Sequence, residues 1–540
     1  MKNIKYIWLL AIALGFTACN DEEDFEDRLD NPPQDAVVLP ALTAGSADFS
    51  NFVSLGASFT AGFSDNALFI SSQENSFPNT MAKQFAKAGG GSFTQPLMND
   101  NFGGLAVGGT RITEPRLVFG GAGPVPLESV IGPVTVSTDL LSPPNGPFNN
   151  VGVPGAKSFH MIAPGYGNLA NFPSAANPYA VRLTGATPDA SMLELAVAQN
   201  PTFFTLSEVG GNDVLGYAIS GGDGSDVITP TATFDFSLNT MVTALTANGA
   251  KGAIGNVPNI TSLSYFTTVP YNALEPSNPD FGPQIPTLNT IFGALNPIFN
   301  AVDPSRAIVF SETEASPVII KDENLADISA IITQALNDSD TFPAFLAQFG
   351  LPPQAAPLVA SLLGNTYGQS RQATAEDLLV LPSSSIIGTV NATNAQFLIN
   401  QGLPANLAGQ FSAEGVSFPL EDKWVLTPEE QQEVADATAA YNATISSVAT
   451  ANGLALVDLN SILEQASTVG IQFDDYNLNT SLVFGGLVSL DGVHLTARGY
   501  ALMANSFLEA IDTTYGSNFV ASGNVAKAED FSVTYSPLLQ

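Results

Sequence analysis

Apolar residues fall into two kinds of run along this chain. Short, nearly unbroken runs stand at Phe52-Val53-Ser54-Leu55, Pro201-Thr202-Phe203-Phe204-Thr205-Leu206, Ala253-Ile254-Gly255-Asn256-Val257 and Leu454-Ala455-Leu456-Val457-Asp458-Leu459. Their length and their apolar content predict buried strands. Periodic runs lie between and after them. Thr427-Pro428-Glu429-Glu430 has the form of a helix start: Thr caps, Pro takes the first helical position and Glu430 reaches back to close a capping box. Val434, Tyr441, Ile445 and Val448 then recur at helical spacing. Tyr500, Met503, Phe507 and Ile511 mark a second helix, and Leu325, Ile328, Ile332 and Leu336 a third. Strand–helix–strand alternation predicts an α/β fold with a mainly parallel, doubly wound sheet. Its functional groups belong at the C-terminal edge of the strands.

One apolar run fits neither class. Ile7 to Phe16 follows Lys2 and Lys5, is too short to span a bilayer and reads as a secretory signal. It ends in Gly15-Phe16-Thr17-Ala18-Cys19, which holds the chain's only cysteine. This resembles a bacterial lipoprotein signal, and the resemblance implies cleavage after residue 18 and a lipid anchor on Cys19. Residues 19–46 then read as the lipidated cysteine and a flexible acidic tether, with Asn20-Asp21-Glu22-Glu23-Asp24-Phe25-Glu26-Asp27 at its start. An acidic run in that place also resembles the address of lipoproteins shown on the outer face of the outer membrane. The expected location is therefore an outer-membrane lipoprotein, exposed at the cell surface or else facing the periplasm.

Charge narrows the partners. Lys and Arg total 16 against 50 Asp and Glu, a formal net charge of −34. Proteins that hold nucleic acid do so by neutralising phosphates with clustered Lys and Arg, so that class is excluded. Residues 20–35 carry eight of the acids and one Arg. Most of the acidity thus belongs to the body of the protein, which favours neutral or cationic substrates over anionic ones. A lone cysteine excludes a disulfide framework and any multi-cysteine metal site. A hydrophobic content of 45 % with 35 Phe excludes a mainly disordered chain.

Four short blocks hold candidate chemistry. The first strand runs into Gly56-Ala57-Ser58-Phe59-Thr60-Ala61-Gly62, where a Ser just past a strand can present its hydroxyl at the sheet edge. The spacing is not the G-x-S-x-G of the α/β-hydrolase elbow. The second block is Asn150-Val151-Gly152-Val153-Pro154-Gly155-Ala156-Lys157-Ser158, whose Gly155 can bring a backbone N–H close to an oxyanion. The third is Glu208-Val209-Gly210-Gly211-Asn212-Asp213, at a strand end, where the neutral amide of Asn212 can donate without titrating. The fourth is Leu490-Asp491-Gly492-Val493-His494-Leu495-Thr496. An Asp and a His three residues apart can hydrogen-bond, which fixes the imidazole tautomer and stabilises its charged form. The chain has only two histidines. His160 has no carboxylate close in sequence and reads as structural.

Ser, Gly, Asn and then Asp-x-x-His, in that order, resemble the SGNH (GDSL) hydrolase family. The resemblance implies a three-layer α/β/α sandwich with large insertions, and a serine hydrolase acting on ester bonds without metal or organic cofactor. It makes Ser58 the nucleophile, His494 the general base and Asp491 its orienting acid. Ser58, Gly155 and Asn212 become the oxyanion donors. Ala57 stands where the family's naming motif has Asp, a residue outside the triad.

The blocks leave much of the chain to insertions. The implied hydrolase domain covers residues 47–515, with additions at about 63–149 and 260–420, and residues 516–540 form a C-terminal tail. The second addition carries the Leu325–Leu336 helix and apolar segments at Phe342 and Leu351, and could form either a lid over Ser58 or a helical subdomain. The leading expectation is an esterase or lipase whose substrate is a small-molecule, lipid or glycan ester. A carbohydrate O-deacetylase would use the same triad. A non-catalytic surface lipoprotein that captures glycans is the alternative from another class. Beyond the signal, the chain offers it only Trp424 among tryptophans.

Overall fold

The computed structural model describes residues 38–539. The readings placed on residues 1–37, including the signal, Cys19 and the acidic run, lie outside the described residues.

Five parallel strands form the central sheet: β1 Phe52–Gly56, β2 Asn150–Gly152, β3 Phe203–Ser207, β4 Lys251–Gly255 and β5 Ala455–Val457. Their spatial order is β5-β4-β3-β1-β2. Four of the five answer to the apolar runs. The fifth, β2, lies inside the Gly-rich second block, where the sequence showed only a loop. Polar Asn150 and two neighbouring glycines hide a strand that is fixed by its register on β1.

Two helix pairs enclose the sheet. The principal helices are α1 Ser58–Ala61, α2 Phe77–Phe85, α3 Gly211–Ile219, α4 Thr231–Thr246, α5 Pro428–Asn452 and α6 Ala497–Tyr515. Phe52 and Phe203 share one side of the pleat by register. Phe85 of α2 packs edge-on against both, and Phe77 of α2 stacks on Phe507 of α6. The other side of the pleat carries Leu55, Phe204, Leu206 and Ile254, all fully buried in the same core as α4 and α5. There Phe234 of α4 stacks on Tyr441 of α5 at 4.2 Å. The molecule is thus α/β, with a five-stranded parallel sheet between helices. α5 starts as its sequence predicts, with Thr427 and Glu430 closing the capping box, and Val434, Tyr441, Ile445 and Val448 all buried.

Residues beyond the sheet framework follow different rules. Part of the expected 63–149 addition belongs to the framework, since it contains α2 packed on the sheet; the rest includes two small hairpins, Leu105–Val107 with Thr110–Thr113 and Leu117–Phe119 with Pro124–Pro126. The 260–420 region has a core of its own, in which helices Ile285–Val302, Ser329–Asn337 and Ala356–Tyr367 bury Phe292, Ile332 and Tyr367. The residues after Gly516 are not loose. Phe519 is fully buried against Phe49 and Phe85, and Arg116 donates to the Ser536 carbonyl.

Candidate active site

The sheet brings the first three blocks to one edge, because β1, β2 and β3 are adjacent and end together. Ser58 is the first residue of α1, directly after β1, and is 6 % exposed. Asn212 sits in the first turn of α3, directly after β3. Gly155 follows β2 with φ of 77°, a backbone state that glycine adopts without strain, and is exposed.

A residue with no role in the sequence reading organises this edge. Ala57 has no carboxylate to offer the N-terminus of α1, and Glu208 supplies one from the end of β3. Its two oxygens accept the N–H groups of Ala57, Phe59 and Thr60 and the Thr60 hydroxyl. The Ser58 hydroxyl makes a long 3.4 Å contact to the same carboxylate. Among the described residues, the Ser58 N–H makes no hydrogen bond, although its neighbours on both sides are taken by Glu208. Burial raises the Glu208 carboxyl to about 7, against the lowering effect of those N–H donors and the charge of His494. Its sequence signal is an acid at the edge of a Gly-Gly turn; in the structure that acid is held at a φ of 60°, which side chains rarely adopt.

The loop after β2 is clamped to α3. Asn212 Nδ2 donates one hydrogen to the Ala156 carbonyl at 3.0 Å. Asn177 Nδ2 holds the Pro154 carbonyl at 2.8 Å, on the other side of Gly155. Asp213, fully buried, accepts both the Ser158 N–H and hydroxyl. The Gly155 N–H and the second Asn212 amide hydrogen are left without partners among the described residues.

The fourth block meets this edge from the loop before α6. His494 Nδ1 lies 2.9 Å from Asp491 Oδ2. Asp491 also accepts the N–H groups of Val493 and His494 on Oδ1 and that of Asn66 on Oδ2. Burial alone would raise the Asp491 carboxyl, but the charge of His494 and these hydrogen bonds hold it well below the usual carboxylate range. A permanently ionised acid on Nδ1 leaves Nε2 as the nitrogen able to accept a proton. The rings of Phe63 and Phe59 flank the imidazole at 4.6 and 5.7 Å.

The first addition supports this loop. Ser64, Asp65 and Asn66 bond to Leu495, Ser489 and Leu490, and Asp491 respectively. Asp65 is the second acid that the sequence reading passed over. Its burial raises its carboxyl to about 7, against the Leu490 N–H that it accepts. The second addition touches the loop from the opposite side, where Tyr265 N–H donates to the Gly492 carbonyl.

Two hollows meet here. Ser58, Glu208 and Asn212 line an apolar cavity of about 90 Å³ walled by Ile260, Leu463 and Met503. Asp491 and His494 border a wider open cleft edged by Tyr265, Leu381 and Asn66. Leu215 and Val493 line both. Gly155 lines neither, and among the described residues Ser58 Oγ and His494 share no hydrogen bond. His160 stands apart: its ring stacks on Tyr166 at 4.5 Å, and its Nδ1 accepts the Lys157 N–H. Burial lowers its proton affinity.

Comparison with known proteins adds no relative: no family model matches the chain, and neither a curated protein nor a solved structure does.

Proposed function

We propose that this chain is a serine ester hydrolase of the SGNH type. The observation that supports it most is the His494–Asp491 pair, set on a cleft that shares Leu215 and Val493 with the cavity of Ser58. In the reaction, Ser58 Oγ turns from Glu208 toward His494, gives its proton to Nε2 and bonds to the ester carbonyl carbon. The oxyanion takes up the unused donors of Ser58, Gly155 and Asn212. His494 then returns the proton to the alcohol oxygen as the ester C–O bond breaks. Water, deprotonated by His494, releases the acid from Ser58 by the reverse sequence. Asp491 keeps the imidazole oriented and offsets its charge throughout.

The division of the site into a small apolar cavity and a wide cleft supports a division of the ester between them. The acyl group enters the cavity and the alcohol lies in the cleft. At about 90 Å³ the cavity is smaller than the ~150 Å³ hollow that accommodates benzene, so acetyl and other short acyl groups fit it best. That favours the second reading, a carbohydrate O-deacetylase, over a lipase for long chains. The wide cleft accepts a bulky alcohol such as a sugar. The signal-like N-terminus supports an activity outside the cytoplasm, held by a lipid on Cys19 in the outer membrane and turned to the cell surface or else to the periplasm.

Hydrolysis of p-nitrophenyl esters of graded chain length tests the reading, with wild type beside Ser58→Ala. Acetate and butyrate are expected to turn over and longer esters to fall away, with all activity lost in the variant. Activity that survives Ser58→Ala overturns the nucleophile. No hydrolysis at any length, together with binding of acetylated glycans, favours a capture protein. Loss of membrane association in Cys19→Ser is the expected result for the anchor, and unchanged association refutes it.

A further inference from the structure

Far from Ser58 in sequence, three carboxylates converge with no ion-pair partner among the described residues, Lys321 acting on Asp422 only at longer range. Oxygens of Glu323, Asp422 and Glu430 lie within 4.8 Å of one another. Two oxygens bound to one calcium ion at 2.3–2.6 Å can be no more than about 5 Å apart, so this spacing is that of a shared cation. No Lys or Arg makes an ion pair with any of the three among the described residues; Lys423, next along the chain, pairs with Glu421 instead.

Two of the cluster's residues have a buried oxygen without a hydrogen-bond partner. Glu430 is 4 % exposed. Its Oε2 accepts the Thr427 N–H and hydroxyl at the start of α5, whereas its Oε1 is buried with no partner. Asp422 Oδ1 is buried and unpartnered as well. A buried carboxylate oxygen without a donor costs free energy, and two of them facing a third acid cost more. The backbone beside them lets the Glu430 carboxylate approach closely. A Cβ on Gly222 would stand 2.2 Å from Glu430 Oε1, and Gly222 has a φ of 76°.

We propose that Glu323, Asp422 and Glu430 bind a divalent cation, calcium by the hardness of an all-oxygen set. Water completes the coordination on the exposed side of Glu323. The three ligands come from separate parts of the chain: Glu323 from the inserted lobe, just after its strand Ile319–Lys321; Asp422 from the return segment; and Glu430 from a helix of the sheet framework. The Gly221-Gly222 turn that frames the site follows α3, the helix that carries Asn212. The ion therefore fastens the lobe to the framework behind α3. This site is independent of the proposed hydrolysis and stands whether or not the chain cleaves esters.

Thermal unfolding of the metal-stripped full chain, with and without calcium, tests it. At a hundredfold excess over the dissociation constant, calcium is expected to raise Tm by about 2–3 °C, with magnesium giving less. Glu430→Gln keeps the acceptor that Thr427 needs, so it folds, but it should lose the calcium shift. Glu323→Gln, on the exposed side, should weaken calcium at least tenfold and covers the case in which Glu430→Gln fails to fold. Terbium luminescence excited through the protein's aromatic residues should saturate at one ion per chain, yield to calcium and vanish in Asp422→Asn. A Tm unmoved by any divalent ion overturns the site. So does a calcium shift that persists in the variants, or a shift given by magnesium alone.

Discussion

Around Ser58 and around Glu430 the fold buries acids in opposite company. Glu208 faces four donors from α1, and Asp491 faces three N–H groups and an imidazole. Glu430 gives one oxygen to Thr427, but its other oxygen and Asp422 Oδ1 have no donor and lie in a group with Glu323. The first arrangement spends each lone pair on a protein group and fixes where backbone and ring must sit. The second leaves lone pairs for something the chain does not itself provide. Glu208 and Glu430 are both buried, so it is the identity of the facing groups that separates an acid that positions from an acid that awaits a ligand.

The strongest way to break the contrast is through the residues whose positions the first group fixes. Ser58→Ala and His494→Ala should each lower kcat for p-nitrophenyl acetate by about 10⁴–10⁶-fold. Asp491→Asn should cost about 10⁴-fold by misdirecting the imidazole, and a rate within tenfold of wild type would show that Asp491 does not orient it. Asn212→Ala removes one oxyanion donor and should cost roughly 10²–10³-fold in kcat with KM little changed.

Glu208→Gln sharpens the contrast through stability. Folded Glu208 holds its proton to about 7, whereas in the unfolded chain a Glu loses it near 4.3. Between those values the unfolded chain binds fewer protons, so wild-type stability falls as pH rises, by up to about 1.4 kcal/mol per pH unit for this group. Asp65, also raised to about 7, adds to the same slope. Urea unfolding from pH 4 to 8 should show the slope in wild type and a shallower one in Glu208→Gln. An unchanged slope would show that Glu208 folds already ionised. Smallest of all, Glu430→Gln should leave kcat within twofold, since its site lies behind α3 and touches no reacting atom.

Legibility followed the range of the interaction. The strands β1, β3, β4 and β5 and the start of α5 could be read because each depends on its own residues and near neighbours. Asp491 and His494 could be paired because three residues separate them. β2 could not, because Asn150-Val151-Gly152 carries no run and becomes a strand only on β1. Glu208 stood in a block already singled out, yet its partners lie about 150 positions away. Glu323 and Glu430 are also far apart in sequence, with no local pattern that would join them. The tail beyond Gly516 shows no periodicity, but Phe519 closes the Phe49–Phe85 stack.

The chain's two ends of the sheet have different neighbours. Thr43 and Ser46 bond to Asn518 and Tyr515, and Lys251, at the start of β4, reaches the Ser46 carbonyl. Residue 38 therefore enters beside the N-terminal edge of the strands, and Ser58 lies at their C-terminal edge. Five strand residues separate the two, roughly 16 Å of sheet. Attachment at residue 38 would hold one pole of the sheet and leave the pole of Ser58 and His494 on the far side.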